Sequence, residues 1–133
     1  QRKYKVSYYS SGKPQDLLKV REKIIRNKVK CNMITSLDKF IDIIPYRASK
    51  GRAVRYLSYW WNIPMDSILV SGDSGNDEDM LRGEMLGVVV ANYSPELEKL
   101  KGKRKIYFAN NKFAAGIIEG LGYYKFLNRE ENE

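Results

Sequence analysis

Residues 68–80 read ILVSGDSGNDEDM, and the fold is decided by how that stretch is interpreted. Ile68, Leu69 and Val70 form a short apolar run of the kind that makes a buried strand. The next nine residues hold four acids, an Asn, two Ser and two Gly. A loop of that composition at the end of a buried strand needs a reason. In open parallel sheets, ligands sit beyond the carboxyl ends of the strands, and Asp73 lies three residues past Val70, where such a ligand would be met. Gly72 and Gly75 let the backbone turn sharply, so that Asp73, Asn76 and Asp77 converge on a small volume. Clustered carboxylates repel unless a lysine or a hard cation neutralises them, and all-oxygen ligands suit Mg²⁺. Glu78 and Asp79 fit the first turn of the following helix, where acids are favoured whatever the function.

Working outward, helices and short apolar strands alternate from residue 49 onward. Ser49 is placed to cap a helix whose apolar positions are Ala53, Val54, Leu57, Trp60 and Trp61, and Ile63-Pro64 ends it. A strand over 67–71 follows, then the polar loop and a short helix near 77–82. A second buried run, LGVVVAN, covers 86–92. Ser94-Pro95-Glu96 opens a helix to about residue 100, and KIYFA at 105–109 is a third strand. The last helix, about 112–127, is expected to bury Phe113, Ile117, Ile118 and Leu121, with Gly116, Gly120 and Gly122 permitting close approach. This alternation predicts an α/β parallel sheet covered on both faces.

The first 45 residues read differently. YKVSYYS at 4–10 is a strand, Pro14 opens a helix over 14–29, and CNMITSL and FIDIIPY are two strands around a turn at 37–39. The helix sets Leu17, Leu18, Ile24 and Ile25 on one side and Lys19, Lys23 and Arg26 on the other. Lys5, Ser7 and Tyr9 share one face of the first strand by alternation.

Composition removes several chemistries. The 133 residues contain no His, so His-based triads and His metal sites are excluded, and the single Cys31 allows no internal disulfide and fits a reducing, cytoplasmic compartment. No apolar run reaches the ~18 residues that span a bilayer, so no membrane partner is expected. Residues 1–56 carry 15 Lys/Arg against 4 Asp/Glu, a surplus of 11, whereas the remainder is acidic by 3. Such a basic half attracts anions or an acidic neighbour. No zinc-finger, basic-zipper or RNA-binding aromatic pattern accompanies it, so nucleic acid is not the expected partner.

Together, GDSGNDEDM and the preceding ASKGRAVRYL resemble the last two motifs of the haloacid dehalogenase-like phosphatases. IDIIPYRASKGRAVRYL, GDSGNDEDML and FAAGIIEGLGYYKF further resemble sucrose-phosphate phosphatases and the phosphatase-like C-terminal region of bacterial sucrose-phosphate synthases. The resemblance implies a Rossmann-like core over 46–133, preceded over 1–45 by the end of an α+β cap domain. It implies that Asp73 ligates Mg²⁺, Lys50 contacts the transferring phosphoryl group, Asn76 binds phosphate or substrate, and Asp77 orients Lys50 and the loop. Lys5, Ser7 and Tyr9 would be sugar contacts from the cap. The substrate implied is a sugar phosphate, sucrose 6-phosphate first. A non-catalytic module of a sucrose-phosphate synthase, with a binding or regulatory role, is the competing expectation.

The departure matters as much as the match. These phosphatases attack with the first aspartate of an Asp-x-Asp motif on an earlier strand, and no such strand is present: DKFID lacks the spacing, and DED at 77–79 belongs to the polar loop. With its start at Gln1, the chain is therefore expected to be part of something longer, needing an N-terminal half or another subunit to supply the nucleophile. One geometric expectation tests the core reading. A helix over 50–61 and a strand over 67–71 span similar lengths, about 18 and 17 Å, so Lys50 and Asp73 should meet at the same end of the sheet, the ammonium within reach of Asp73 or Asp77.

Overall fold

A computed structural model describes residues 4–11, 13–36 and 40–126. The chain divides into two compact units, Gln1–Ser49 and Lys50–Glu133.

The first unit contains strand β1 (Val6–Tyr9), helix α1 (Pro14–Arg26), and strands β2 (Cys31–Ser36) and β3 (Phe40–Pro45). The strands form an antiparallel sheet of order β1-β3-β2, with Ser7 opposite Asp42 and Ile34 opposite Asp42 on the other side. Pro45 closes its strand, where its missing N–H costs no ladder bond. The turn expected at 37–39 lies outside the described residues. Helix α1 ends at Arg26, three residues short of the expected limit, because Lys28 adopts φ 52°. Its half-buried row is Leu17, Val20 and Ile24, whereas Leu18 and Ile25 are exposed. One face of the sheet (Tyr8, Ile41, Ile43) shares a cleft of about 380 Å³ with Asp16 and Val20 of α1.

The second unit is built on a parallel sheet of order β4-β5-β6, from β4 (Leu69–Gly72), β5 (Leu86–Val89) and β6 (Ile106–Phe108). Helices α2 (Lys50–Trp61), α3 (Glu78–Leu81) and α4 (Phe113–Tyr123) complete it. Alternate strand residues face opposite ways. Val70 and Val89 join Leu81, Met85, Leu97 and Leu100 in one buried cluster, while Val88 packs against α4 on the other side. The segment Pro95–Leu100 is a 3₁₀ helix rather than the expected α-helix. Side chains three apart eclipse in that geometry, which sends Leu97 and Leu100 together into the cluster.

Two helices turn other faces inward than their large apolar residues suggest. In α2 the buried positions are Gly51 and Ser58, and Tyr56, Tyr59, Trp60 and Trp61 are all exposed, the two tryptophans by 68% and 61%. The apolar face expected for α2 is corrected at Trp60 and Trp61, while Val54 does pack against the core; α2 approaches so closely that a Cβ on Gly51 would lie 2.5 Å from the Asp79 carbonyl oxygen. Phe113 and Ile118 of α4 are likewise exposed, by 69% and 59%. Gly116 and Gly120 meet the sheet instead, and a Cβ on Gly120 would overlap the Val88 methyls.

Gly122, in the same helix, has open space where a Cβ would stand. Gly120→Ala is therefore expected to destabilise by about 1–3 kcal/mol through overpacking. Gly122→Ala should stabilise by up to about 1 kcal/mol through helix propensity. Urea denaturation of the two variants checks the opposite signs.

The connection from β6 to α4 is tied by Glu119, whose carboxylate accepts from the backbone N–H and side-chain amide of both Asn110 and Asn111, and from the Tyr107 hydroxyl. Led by the Asn110 backbone N–H, these donors hold its carboxyl at about 2, below its ordinary 4.5. The folded value is the lower one, so the resulting stability is complete above the ordinary value and is lost as pH falls from about 4.5 towards 2. The stability gap between wild type and Glu119→Gln should accordingly be flat above pH ~5 and shrink below it, as read from denaturant midpoints against pH.

Candidate active site at the end of strand β4

The polar loop leaves the carboxyl end of β4, rises through a 3₁₀ turn at Gly75–Asp77 and enters α3 at Glu78. Its organising residue is Asp77, only 4% exposed. One carboxylate oxygen, Oδ2, accepts from the backbone N–H groups of Asp73 (3.1 Å) and Ser74 (3.3 Å). The other, Oδ1, pairs with the Lys50 ammonium at 2.5 Å. Lys50 Nζ also donates to Asn76 Oδ1 at 3.0 Å, and the Ser74 hydroxyl lies 3.1 Å from the same oxygen.

This arrangement depends on Gly72. A Cβ there would overlap the Asp77 side chain, so the carboxylate sits directly over a backbone with no side chain in the way. The loop is further held to the segment after β5, where Ser94 N–H donates to the Asp73 carbonyl at 2.7 Å and Val90 N–H to the Gly72 carbonyl at 3.3 Å.

Lys50, the first residue of α2, and the loop beyond β4 thus meet at one end of the sheet. Lys50, Asn76 and Asp77 are brought together. Asp73 stands beside them at the loop's start, exposed, and among the described residues its carboxylate has no hydrogen-bond or ion-pair partner. Glu78 and Asp79 serve packing: Glu78 bridges Arg82 (2.9 Å) and Lys99 (2.7 Å), and Asp79 pairs with Arg55 (3.3 Å). Ser74 was not singled out by the sequence, because a serine in a polar turn carries no distinguishing signal.

Among the described residues, no three His, Cys, Asp or Glu side chains gather where they would hold a metal ion. Asp73 fits a hard cation as one carboxylate ligand of an incomplete set. In the first unit, Lys5, Ser7 and Tyr9 do share a face, as alternation required. Lys5 and Ser7 contact Asp42, and the Tyr9 ring lies 5.0 Å from that of Phe40.

A parallel sheet with Lys50 at a helix start and Asp73, Asn76 and Asp77 beyond a strand end defines a core of the haloacid dehalogenase-like class. A haloacid dehalogenase-like hydrolase from B. subtilis shares the fold, with a TM-score of 0.66 at 22% identity over 93% of this chain and 40% of that one. The family model for sucrose-6F-phosphate phosphohydrolase matches residues 1–125, and the chain belongs to that family. Sucrose-phosphatase 2 of Nicotiana tabacum is 34% identical over 135 residues, which cover 92% of this chain and 32% of that protein. The sucrose-phosphatase of Synechocystis sp. PCC6803, solved in complex with sucrose and phosphate, superposes with a TM-score of 0.86 at 29% identity, over 94% of this chain and 53% of that one. The chain therefore spans about a third of the length of the curated relative and about half of the solved sucrose-phosphatase chain. Among the described residues, no helix is long and apolar enough to cross a membrane.

Proposed function

We propose that this chain supplies the phosphate-positioning half of a Mg²⁺-dependent sugar-phosphate phosphatase whose substrate is sucrose 6-phosphate. The observation that carries this reading is the Lys50–Asp77–Asn76 constellation beside Asp73 at the end of β4, in a chain of the sucrose-6F-phosphate phosphohydrolase family. Lys50 brings a positive charge to a place where charge accumulates as a phosphoryl group transfers, and Asp77 fixes that ammonium without leaving it mobile. The Asn76 Oδ1 accepts from Lys50, and among the described residues its amide nitrogen is left to donate to a phosphate or hydroxyl oxygen. Asp73 would hold Mg²⁺ as one of its oxygen ligands. The chemistry such an ion would supply there is neutralisation of phosphate charge.

The attacking aspartate is assigned to an upstream Asp-x-Asp strand, joined in the same polypeptide or carried by a second one. Residues 1–45 are read as the end of a cap domain in which Lys5, Ser7 and Tyr9 contact the sugar, and 46–133 as the C-terminal half of the core.

The decisive experiment is phosphate release from sucrose 6-phosphate with and without Mg²⁺. The 133-residue chain alone should be inert, and a chain extended by an Asp-x-Asp strand should be active and silenced by a chelator. Mg²⁺-dependent release by the short chain, abolished in Asp73→Asn, would overturn the map of the site. Inertness of the extended, folded chain would favour the non-catalytic module of a synthase instead.

A further inference from the structure

Helix α2 turns its largest side chains to solvent. Tyr56, Tyr59, Trp60 and Trp61 are exposed by 61%, 85%, 68% and 61%, and they include both tryptophans of the chain. Tyr56 and Trp60 stack on each other one turn apart, their centroids 6.0 Å apart and their planes 25° from parallel. A spacing of four puts Arg52 on the same line, so Arg52, Tyr56 and Trp60 make one ridge along the outer face of the helix. Apolar area gathered in this way on a surface marks an interaction site. Trp and Tyr rings beside an Arg are also the residue types that anchor protein interfaces. The charges of the helix point to what covers it. α2 has no acid in its first turn and no base in its last. Arg52 therefore stands at the positive end of the helix dipole, and no cation of the helix's own meets the negative end.

We propose that α2 is the contact face of a homodimer in which the helices of two copies cross antiparallel, ridge against ridge. The contact uses none of the side chains assigned to phosphate positioning. An antiparallel crossing centred on Tyr56 sets Arg52 of each copy against the partner's Trp60, because both lie four residues from the centre. Each guanidinium then lies over an indole face and beside the partner's C-terminal carbonyls, the end at which a cation is favoured. A parallel crossing would bring the two Arg52 side chains together and leave both C-terminal ends bare. Ala53, small and exposed on the outer face, leaves room for the partner's Tyr59, each being three residues from the centre. Aromatic rings bury about 150–250 Å² each when fully covered, so at these exposures the four offer roughly 550 Å² per copy. Ile63 and the Arg52 stem bring that towards the roughly 800 Å² per partner of a standard interface, which suits a reversible dimer. The same patch on both copies gives a closed two-fold pair and not a filament.

Both tryptophans lie in the proposed contact, so the chain's own fluorescence reports on that surface alone. The test follows the 133-residue chain by sedimentation equilibrium and by tryptophan emission between about 1 μM and about 1 mM. The expected result is a monomer–dimer equilibrium, with emission moving to shorter wavelength in step with the dimer fraction. Trp60→Ser should raise the dissociation constant by about tenfold or more. Arg52→Glu separates association from folding. An acid in the first turn favours the helix, so the urea midpoint of the dilute chain should hold or rise. The dimer should nevertheless weaken by a similar factor, because the partner's ring faces and carbonyl end repel a carboxylate. A chain that stays monomeric at about 1 mM overturns the proposal. So does a dimer that is equally strong in both variants and whose emission ignores concentration, since the copies then meet elsewhere, as the open edge of β4 would allow. Emission already at short wavelength in the monomer, and constant with concentration, overturns it as well, because the rings are then covered within one chain.

Discussion

Asp73→Ala is expected to lower Mg²⁺-dependent turnover by about 100- to 1,000-fold once the chain is joined to an Asp-x-Asp strand, the range seen when one preorganised electrostatic contact to a reacting group is removed. Glu78→Ala, five residues on, should change turnover by no more than about twofold, in keeping with a perturbation of roughly 0.5 kcal/mol at a site away from the chemistry. Both residues are acids in the same loop-to-helix stretch, so charge alone would not separate them. Their partners do. The Glu78 carboxylate is already occupied by Arg82 and Lys99 on the flank of α3. Asp73 sits at the strand end with its carboxylate exposed and, among the described residues, without a partner. Raising Mg²⁺ should partly restore Asp73→Asn, which retains an oxygen ligand, and should do nothing for Asp73→Ala. Equal losses for Asp73→Ala and Glu78→Ala would remove the metal assignment.

The strand and its polar loop were legible because the change from apolar to acidic is abrupt and a parallel sheet gives its carboxyl end a chemical meaning. The meeting of Lys50 with Asp77 was legible from length alone, since a 12-residue helix and the following strand return the chain to its starting end. The inward face of α2 was not, and that of α4 was legible only in part: close approach at Gly116 and Gly120 was read from the sequence, whereas the exposure of Phe113 and Ile118 was not. Periodicity ranks large apolar residues as core, but these helices pack through Gly51, Ser58, Gly116 and Gly120, and close approach leaves Trp60, Trp61, Phe113 and Ile118 outside. Asp42 was also out of reach. Its partners Lys5 and Ser7 lie at least 35 residues away in sequence, and only the β1–β3 register brings them across from it. Contacts set by strand register, such as those of Asp42 with Lys5 and Ser7, leave no mark in the local pattern.

Removing the buried carboxylate at 77 should cost more stability than removing the side chain of its partner Lys50. In Asp77→Ala, the Asp73 and Ser74 N–H groups lose their acceptor and the Lys50 ammonium loses its closest counter-charge. A buried donor left unpaired costs about 1–3 kcal/mol. Water can reach Lys50, whose side chain is 53% exposed, so its share is small. The net loss expected is about 2–3 kcal/mol, read as a lower urea midpoint with an unchanged slope. Lys50→Met should cost well under half of that, because Asp77 keeps its backbone donors. Asp77→Asn should fall between them: its amide has one oxygen, which can face the backbone N–H pair or the ammonium but not both. This order follows from treating Asp77 as the residue that folds the loop and, through the loop, aims Lys50. If Lys50→Met and Asp77→Ala proved equally costly, the two would be an ion pair and nothing more. The loop would then owe its shape to Gly72 and to the Ser94 and Val90 hydrogen bonds, and turnover lost in Asp77→Ala would be recoverable by any residue that holds Lys50 in place.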